Sequence, residues 1–378
     1  MNISPKVLWA LLRKPRWFLN FVKSKAEWGT FAEEARNFQN MLTRRDDGAH
    51  PHSSPFYFEW WYFDIIMSDN SVLVIIFHLT DLIKPAAKKG SVNISYYHPR
   101  DKGWTHFIPY SREFIEADVD ECNVRIGTNF CKIDQNGNYI VHIDEPGISG
   151  DICFLEAAPG WRPGNGAIYF GNPEKYFAWV VPQPRAKVNG KLCCDGKNWE
   201  IKGKGYHDHN WGTVSIIETL TSWSWGRVYM DDITLIYADM LLSPQYVPAR
   251  ALPFLLVNGS EFLVNGFLSD HAPVDIDQDF LTSPQNVHKP IGWYLNWEQQ
   301  SGSFELQLTT QYVVEYSDLL RNHHPKIRKL IDLFVAHPYY IRCLTEVEGE
   351  IKLKGLHRKI DRGHAVCEQM VLRGNPNR

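Results

Sequence analysis

Phe56-Tyr-Phe-Glu-Trp-Trp-Tyr-Phe-Asp-Ile-Ile-Met67 is a run of aromatic and aliphatic residues with two acids inside it. With the period-two alternation of a strand, Glu59, Trp61 and Phe63 face one way and Trp60, Tyr62 and Asp64 the other. Rings on both faces mean a strand buried on both, and Glu59 inside it needs a partner, for which Arg227 is a candidate. Turn residues Ser68-Asp-Asn70 end the run, and similar short runs follow at 72–79, 92–98, 138–143 and 176–181. The turns between them are legible at Asp134-Gln-Asn-Gly137, Pro159-Gly160, Asn189-Gly190 and Asp195-Gly196. Many short strands punctuated in this way predict a mainly β protein of the sandwich or barrel kind.

A second β series runs from Glu261 through 293–297, 304–314 and 347–353 to 365–372, with weak helical periodicity only around 317–336. Leu242-Ser-Pro-Gln-Tyr-Val-Pro248 separates the two series. The expected organisation is an N-terminal arm at 1–45, one β domain at 46–243 and a second at 244–378. A chain of 378 residues is long enough for two real cores. With 40 Lys and Arg against 43 Asp and Glu, the charge of −3 argues against a nucleic-acid binder acting through bulk charge. Aromatic residues are abundant, with 14 Trp, 17 Tyr and 20 Phe, which suits strands around an apolar small-molecule ligand. Seven cysteines without a CxxC pair fit a reducing, cytoplasmic compartment and are given no role.

Residues 1–26 carry six bases, Lys6, Arg13, Lys14, Arg16, Lys23 and Lys25, and no acid precedes Glu27. Leu8, Leu11, Trp17 and Phe18 lie between them, so the segment reads as basic amphipathic helices broken near Pro15. Two placements fit: peripheral contact with the anionic inner membrane face, or a helix packed across a barrel end. Its apolar run at 7–12 is too short to span a bilayer.

The densest set of chemical side chains is Gly203-Lys-Gly-Tyr-His-Asp-His-Asn-Trp-Gly212. As a strand it puts His207, His209 and Trp211 on one face and Tyr206, Asp208 and Asn210 on the other. His-x-His is also a metal-ligand spacing, but no third ligand follows at a recognised interval, so no metal and no cofactor are expected. A polar turn serving buried backbone groups is the structural alternative. Trp223-Ser-Trp-Gly-Arg227 places Trp223, Trp225 and Arg227 on one face. In 235–242, Tyr237 and Asp239 share a face of an otherwise apolar strand. An acid there stays protonated and becomes a proton donor, unless it pairs with Arg227 on the neighbouring strand. No phosphate loop, dinucleotide fingerprint or nucleophile elbow is present.

In this order, Glu59-Trp-Trp-Tyr-Phe-Asp64, Tyr206-His-Asp-His-Asn-Trp-Gly212 and Trp225-Gly-Arg227 resemble the signature of the carotenoid 1,2-hydratase (hydroxyneurosporene synthase) and AttH-like superfamily, which also includes Diels–Alderase-type cyclases. The resemblance covers about residues 55–240. It implies two tandem lipocalin-like β domains and a hydrophobic cavity for a polyene or terpenoid. It also implies a catalytic set of Asp239, His209, Tyr237 and Trp211, beside which Glu59, Trp61, His207, Asn210, Trp223, Trp225 and Arg227 are the candidate substrate contacts. The expected chemistry is acid-catalysed hydration or cyclisation, with Asp239 as donor and the aromatic rings beside the cation. A pericyclase that only folds and hydrogen-bonds its substrate, and a carrier without chemistry, are the alternatives.

Overall fold

The computed structural model describes residues 24–28, 42–80, 89–156, 158–247, 250–268, 270–274, 292–318 and 339–372. Two compact units divide the chain, one containing Glu27–Ser215 and the other Ile216–Asn258 with Phe262–Arg378. A short strand β1 (Ser24–Trp28) overlaps the start of the first.

Long strands of the first unit are β2 (Phe58–Met67), β3 (Val72–Thr80), β4 (Gly90–His98) and β5 (Asp101–Tyr110). Shorter ones follow: β6 (Ile115–Ala117), β7 (Asn123–Ile126), β8 (Asn129–Ile133), β9 (Tyr139–Glu145), β10 (Ile148–Glu156) and β11 (Ala167–Phe170). Two more, β12 (Tyr176–Cys194) and β13 (Lys197–Gly212), complete it. The order is β5-β4-β3-β2-β13-β12-β10-β9-β8-β7-β6, with β11 laid against β12. Phe63 of β2 nevertheless lies 5.2 Å from Phe154 of β10 and 6.1 Å from Tyr139 of β9, ring to ring. Neither strand neighbours β2, so the sheet curls on itself into a lipocalin-like barrel around these rings.

The second unit holds β14 (Leu220–Met230), β15 (Ile233–Leu242), β16 (Tyr246–Val247), β17 (Arg250–Ala251), β18 (Pro253–Asn258) and β19 (Glu261–Phe267). It continues with β20 (Asp270–Val274), β21 (Gly292–Gln299), β22 (Gly302–Asp318), β23 (Tyr339–Leu353) and β24 (Leu356–Val371). Its order is β19-β18-β15-β14-β24-β23-β22-β21-β20. Phe254 of β18 meets Trp297 of β21 edge-on at 5.4 Å, which curls this sheet in the same way. The protein is mainly β, with two barrel-like domains in tandem.

The boundary lies earlier than the proline-rich stretch at 242–248 suggests. A one-turn helix, Ile216–Thr219, separates β13 from β14. From there β14 pairs with β24 and β15 with β18, so both strands before Pro244 belong to the second barrel. Ser243-Pro-Gln-Tyr246 is a turn that follows β15, closed by the Tyr246 N–H donating to the Ser243 carbonyl. Prolines mark a turn, and only strand pairing decides which sheet it serves.

Within the expected arm, Ser24–Trp28 is a strand and Arg44–Asp47 a 3-10 turn. Residues 1–23 and 29–41 of the arm, and with them nearly all of the segment read as membrane-contacting, lie outside the described residues. The periodic stretch at 317–336 does so too, except that residues 317 and 318 end β22. Among the described residues no helix is long and apolar enough to cross a membrane.

Candidate active site

Strand β13 changes character along its length. From Lys197 to Lys204 exposed and buried residues mix, whereas every residue from Gly205 to Gly212 is buried. In that second half β13 pairs antiparallel with β2, putting His207 opposite Phe63, His209 opposite Trp61 and Trp211 opposite Glu59. Directly opposed residues share a face, so the two sequence motifs are two halves of one surface. Phe63 stacks on His207 and Trp61 on His209, each with ring centroids 4.1 Å apart. Diagonally across the pair, His209 Nε2 lies 2.9 Å from Glu59 Oε1.

Asp47, which no periodicity marks, joins this surface from the 3-10 turn. Thr43 caps the turn, its N–H donating to Asp46 Oδ2 at 2.7 Å, and Arg44 and Arg45 tie it to Glu121 and Asp120, both at 2.8 Å. Gly48 then passes so close to the chain that a Cβ would stand 2.3 Å from the Val119 carbonyl oxygen. The turn thereby carries the Asp47 side chain inward, where it is 3% exposed. Its Oδ2 lies 3.1 Å from His207 Nε2 and accepts from the Tyr139 hydroxyl at 2.6 Å; its Oδ1 lies 3.3 Å from His209 Nδ1. Because His207 Nδ1 donates to the Tyr62 carbonyl at 2.9 Å, protonation of Nε2 turns His207 into a cation facing Asp47.

The result is a buried row in which imidazole and carboxylate alternate: His207, Asp47, His209, Glu59. Burial alone raises a carboxylate and lowers an imidazole, but mutual proximity reverses both. Burial pushes Asp47 up, yet His207 and His209 hold it well below the usual carboxylate range. Glu59 is pulled down in the same way by hydrogen bonds from His209 and His50. Against burial, Asp47 raises His207 to about 9, and Asp47 with Glu59 raises His209. Each imidazole thus favours its charged form beside a carboxylate, and each carboxylate beside an imidazole, while the Trp61 and Phe63 rings stack on the two imidazoles.

One end of the row reaches the surface. The backbone N–H of His50 donates to Glu59 Oε1 at 2.8 Å, and its ring stacks on Trp211 at 3.8 Å. Its side chain is 29% exposed while those of Glu59 and His209 are 0%. The Tyr57 hydroxyl donates to the second oxygen of Glu59, and burial beside that carboxylate raises the Tyr57 hydroxyl far above its ordinary range. Glu59 is thus partnered by His50, Tyr57 and His209, in place of the expected Arg227.

Asn210 belongs to the opposite face of β13. There its amide donates to Asp208 Oδ1 at 2.8 Å, and Asp208 Oδ2 accepts from the Tyr206 hydroxyl at 2.8 Å and the Trp179 indole at 3.2 Å.

In the second barrel, Tyr237 and Asp239 share a face of β15, opposite Gly226 and Ser224 of β14. Arg227 sits opposite Ile236 and Trp225 opposite Ala238, which puts Trp223, Trp225 and Arg227 on the other face of the sheet. The alternative Asp239–Arg227 pair is therefore replaced. Asp239 is held at two points by Arg250, Nε to Oδ1 at 2.8 Å and Nη2 to Oδ2 at 2.6 Å. The same geometry keeps Trp223 and Trp225 away from the Tyr237–Asp239 face. Tyr237 is fully buried and its hydroxyl is pushed well above 10 by burial and by Cys367.

Residues 119–255 match the model of the carotenoid hydratase CrtC family. A hydroxyneurosporene dehydrogenase of Chlorobaculum tepidum is 27% identical over 250 residues, covering 55% of this chain and 63% of that protein. The AttH-type protein of Nitrosomonas europaea superposes with a TM-score of 0.61 at 14% identity, over 91% of this chain and 99% of the other. The chain is thus similar to the carotenoid hydratase family over about a third of its length, and it shares the fold of the AttH-type protein. The quinolone epoxide rearrangement protein penF of Penicillium thymicola is 23% identical over 224 residues, 53% of this chain and 61% of that relative. The matched stretches span less than two thirds of either curated relative.

The carotenoid hydratase match contains β13 and the β14–β15 hairpin, so His209, Trp211, Tyr237 and Asp239 all lie inside it, whereas Asp47, His50 and Glu59 lie outside. Asp47, His50, Tyr57 and Arg250 are the site residues that reading the sequence passed over. A capped turn, Thr43-Arg-Arg-Asp-Asp-Gly48, and the close pair His50 and His52 were the available signals, and neither names a partner.

Proposed function

We propose that this chain is a member of the carotenoid hydratase/AttH-like superfamily, an enzyme that hydrates or cyclises an apolar polyene- or terpenoid-type substrate, and that it acts by engaging an oxygen already on that substrate. The observation that carries this is the alternating row of His207, Asp47, His209 and Glu59. His209, set between two carboxylates, holds a proton more tightly than a free imidazole, too tightly to protonate an isolated alkene. It is well matched to polarising an epoxide, carbonyl or enol oxygen, where a fixed charge in a dry site stabilises the developing negative charge. His50 and Trp211, at the partly exposed end, are the assigned contact with that oxygen and with the adjoining apolar skeleton.

Asp239 takes a different role from the one its apolar strand suggests. Two-point contact with a guanidinium is the interaction of a carboxylate, so Asp239 is assigned as a base in the second barrel, beside Tyr237. That the chain's relatives are named for a carotenoid hydratase family and for epoxide rearrangement supports chemistry of this class.

The test is incubation with two probes, an acyclic terpenoid epoxide and an acyclic polyene hydrocarbon, followed by product mass. Turnover of the epoxide is expected, with a gain of water or no change in mass, and Glu59→Gln should lower it by about two orders of magnitude or more. Turnover of the hydrocarbon, lost in Asp239→Asn, would overturn the reading and restore Asp239 as proton donor. Unchanged mass with full activity in both variants would select a pericyclase, and retention of both probes without turnover a carrier.

A further inference from the structure

The His-x-His pair suggests two ligands without a third, but the fold supplies a different set. His207 is turned toward Asp47 and the Tyr62 carbonyl, whereas His209 Nε2 converges on Glu59 Oε1 with His50 Nδ1. Glu59 Oε1 stands 2.9 Å from His209 Nε2 and 3.5 Å from His50 Nδ1. Two ligands bound at about 2.1 Å to one ion stand about 3.0 Å apart at a right angle and about 3.4 Å at the tetrahedral angle. Both separations are those of neighbours in a coordination sphere, and all three atoms lie within 4.8 Å of one another.

The surroundings agree. His50 Nδ1 is buried yet makes no hydrogen bond among the described residues, an arrangement that is costly for an ordinary polar atom. Glu59 is held in place by Tyr57 and by the His50 backbone. The other nitrogen of His209, Nδ1, lies 3.3 Å from Asp47 Oδ1 without a formed hydrogen bond, on the side where an outer carboxylate stands to a metal-bound histidine. Glu59 and His209 close one side, while His50 stands where solvent enters.

We infer that His50 Nδ1, His209 Nε2 and Glu59 Oε1 form a binding site for a divalent transition-metal ion of the zinc or ferrous class, with an open coordination position on the His50 side. Binding stands on this geometry alone and displaces the proton from His209 Nε2; only the role of the ion, which would take the place of that proton as Lewis acid toward the substrate oxygen, rests on the function proposed above. Nitrogen and carboxylate ligands with one open position are the composition of a catalytic site, not of a closed structural one.

The experiment uses the full chain after dialysis against EDTA, titrated with Zn2+ by calorimetry and with Co2+ by visible absorption. One equivalent is expected to bind, with the intense visible bands of four- or five-coordinate Co2+. His50→Ala and Glu59→Gln should each weaken binding at least about tenfold, and Asp47→Asn by about 10- to 100-fold through its hold on His209. His52→Ala, at an exposed neighbouring histidine, should leave affinity unchanged. His50 is partly exposed, so its variant tests the site even where a buried substitution fails to fold. Absence of stoichiometric binding, or binding indifferent to His50→Ala, would overturn the inference. Epoxide turnover that persists in EDTA without any metal binding would do the same while leaving the proposed function in place.

Discussion

Replacing Asp47 by Asn removes the anion between His207 and His209 at nearly constant volume, and the pH dependence of stability should reveal it. In the metal-free chain, Asp47 raises His207 from 6.5 to about 9. A raised imidazole adds stability that is complete below 6.5 and disappears as pH climbs through about 9, here about 3 kcal/mol. His209 is raised as well and acts in the same direction. Asp47 is itself depressed, so its contribution is present above 3.8 and is lost only in acid. Between pH 5 and 6.5 the unchanged protein should therefore exceed Asp47→Asn by about 3 kcal/mol or more. Toward pH 10 the gap should shrink to the roughly 1 kcal/mol of ordinary hydrogen bonds. Tyr139 and Cys122, also beside Asp47, are pushed up by burial and do not titrate across this window. Urea unfolding of EDTA-treated protein can be followed by mass-spectrometric labelling of Cys122, which is fully buried in the first barrel. A gap that stays constant from pH 6 to pH 10 would show that His207 carries no extra proton, and the alternating charges would be refuted.

Two further outcomes concern the second barrel. A Cβ at position 226 would stand 2.3 Å from Tyr237 Cε1, so Gly226→Ala must displace a fully buried ring, at a cost of about 1–3 kcal/mol. Calorimetry should show its melting several degrees lower, and an unchanged transition would mean the ring has room. Arg250→Gln should destabilise this barrel by about 1–2 kcal/mol, a figure reduced because the arginine side chain is 40% exposed. Adding Asp239→Asn should recover most of the loss, and strict additivity of the two changes would show that the pair is energetically uncoupled.

What the sequence made legible was what a period of two can carry. Alternation at 58–64 and 206–212 correctly sorted Glu59, Trp61, His207, His209 and Trp211 onto strand faces, and the fold then laid those faces side by side. Partner choice was hidden, because it depends on register between strands. Arg227 looked available to Asp239, yet its position opposite Ile236 put it on the other face, and Arg250 from a two-residue strand took its place. Asp47 and His50 come from a turn and an irregular segment, where no period exists to predict direction. The domain boundary was misplaced for a related reason, since Pro244 and Pro248 signal a turn without saying which sheet it joins.

The all-buried half of β13 also bears on how such a chain can diverge. Its two faces hold different polar sets, imidazoles against Asp47 and Glu59 on one, Asp208 with Tyr206, Asn210 and Trp179 on the other. Inserting or deleting one residue between Gly205 and Gly212 would exchange the two sets wholesale, leaving both without their partners. A two-residue change would keep the faces but slide His209 about 7 Å from Glu59. Length changes within this strand are therefore barred, and new specificities in descendants of such a chain must arise by substitution in place or by remodelling the turns that join the strands.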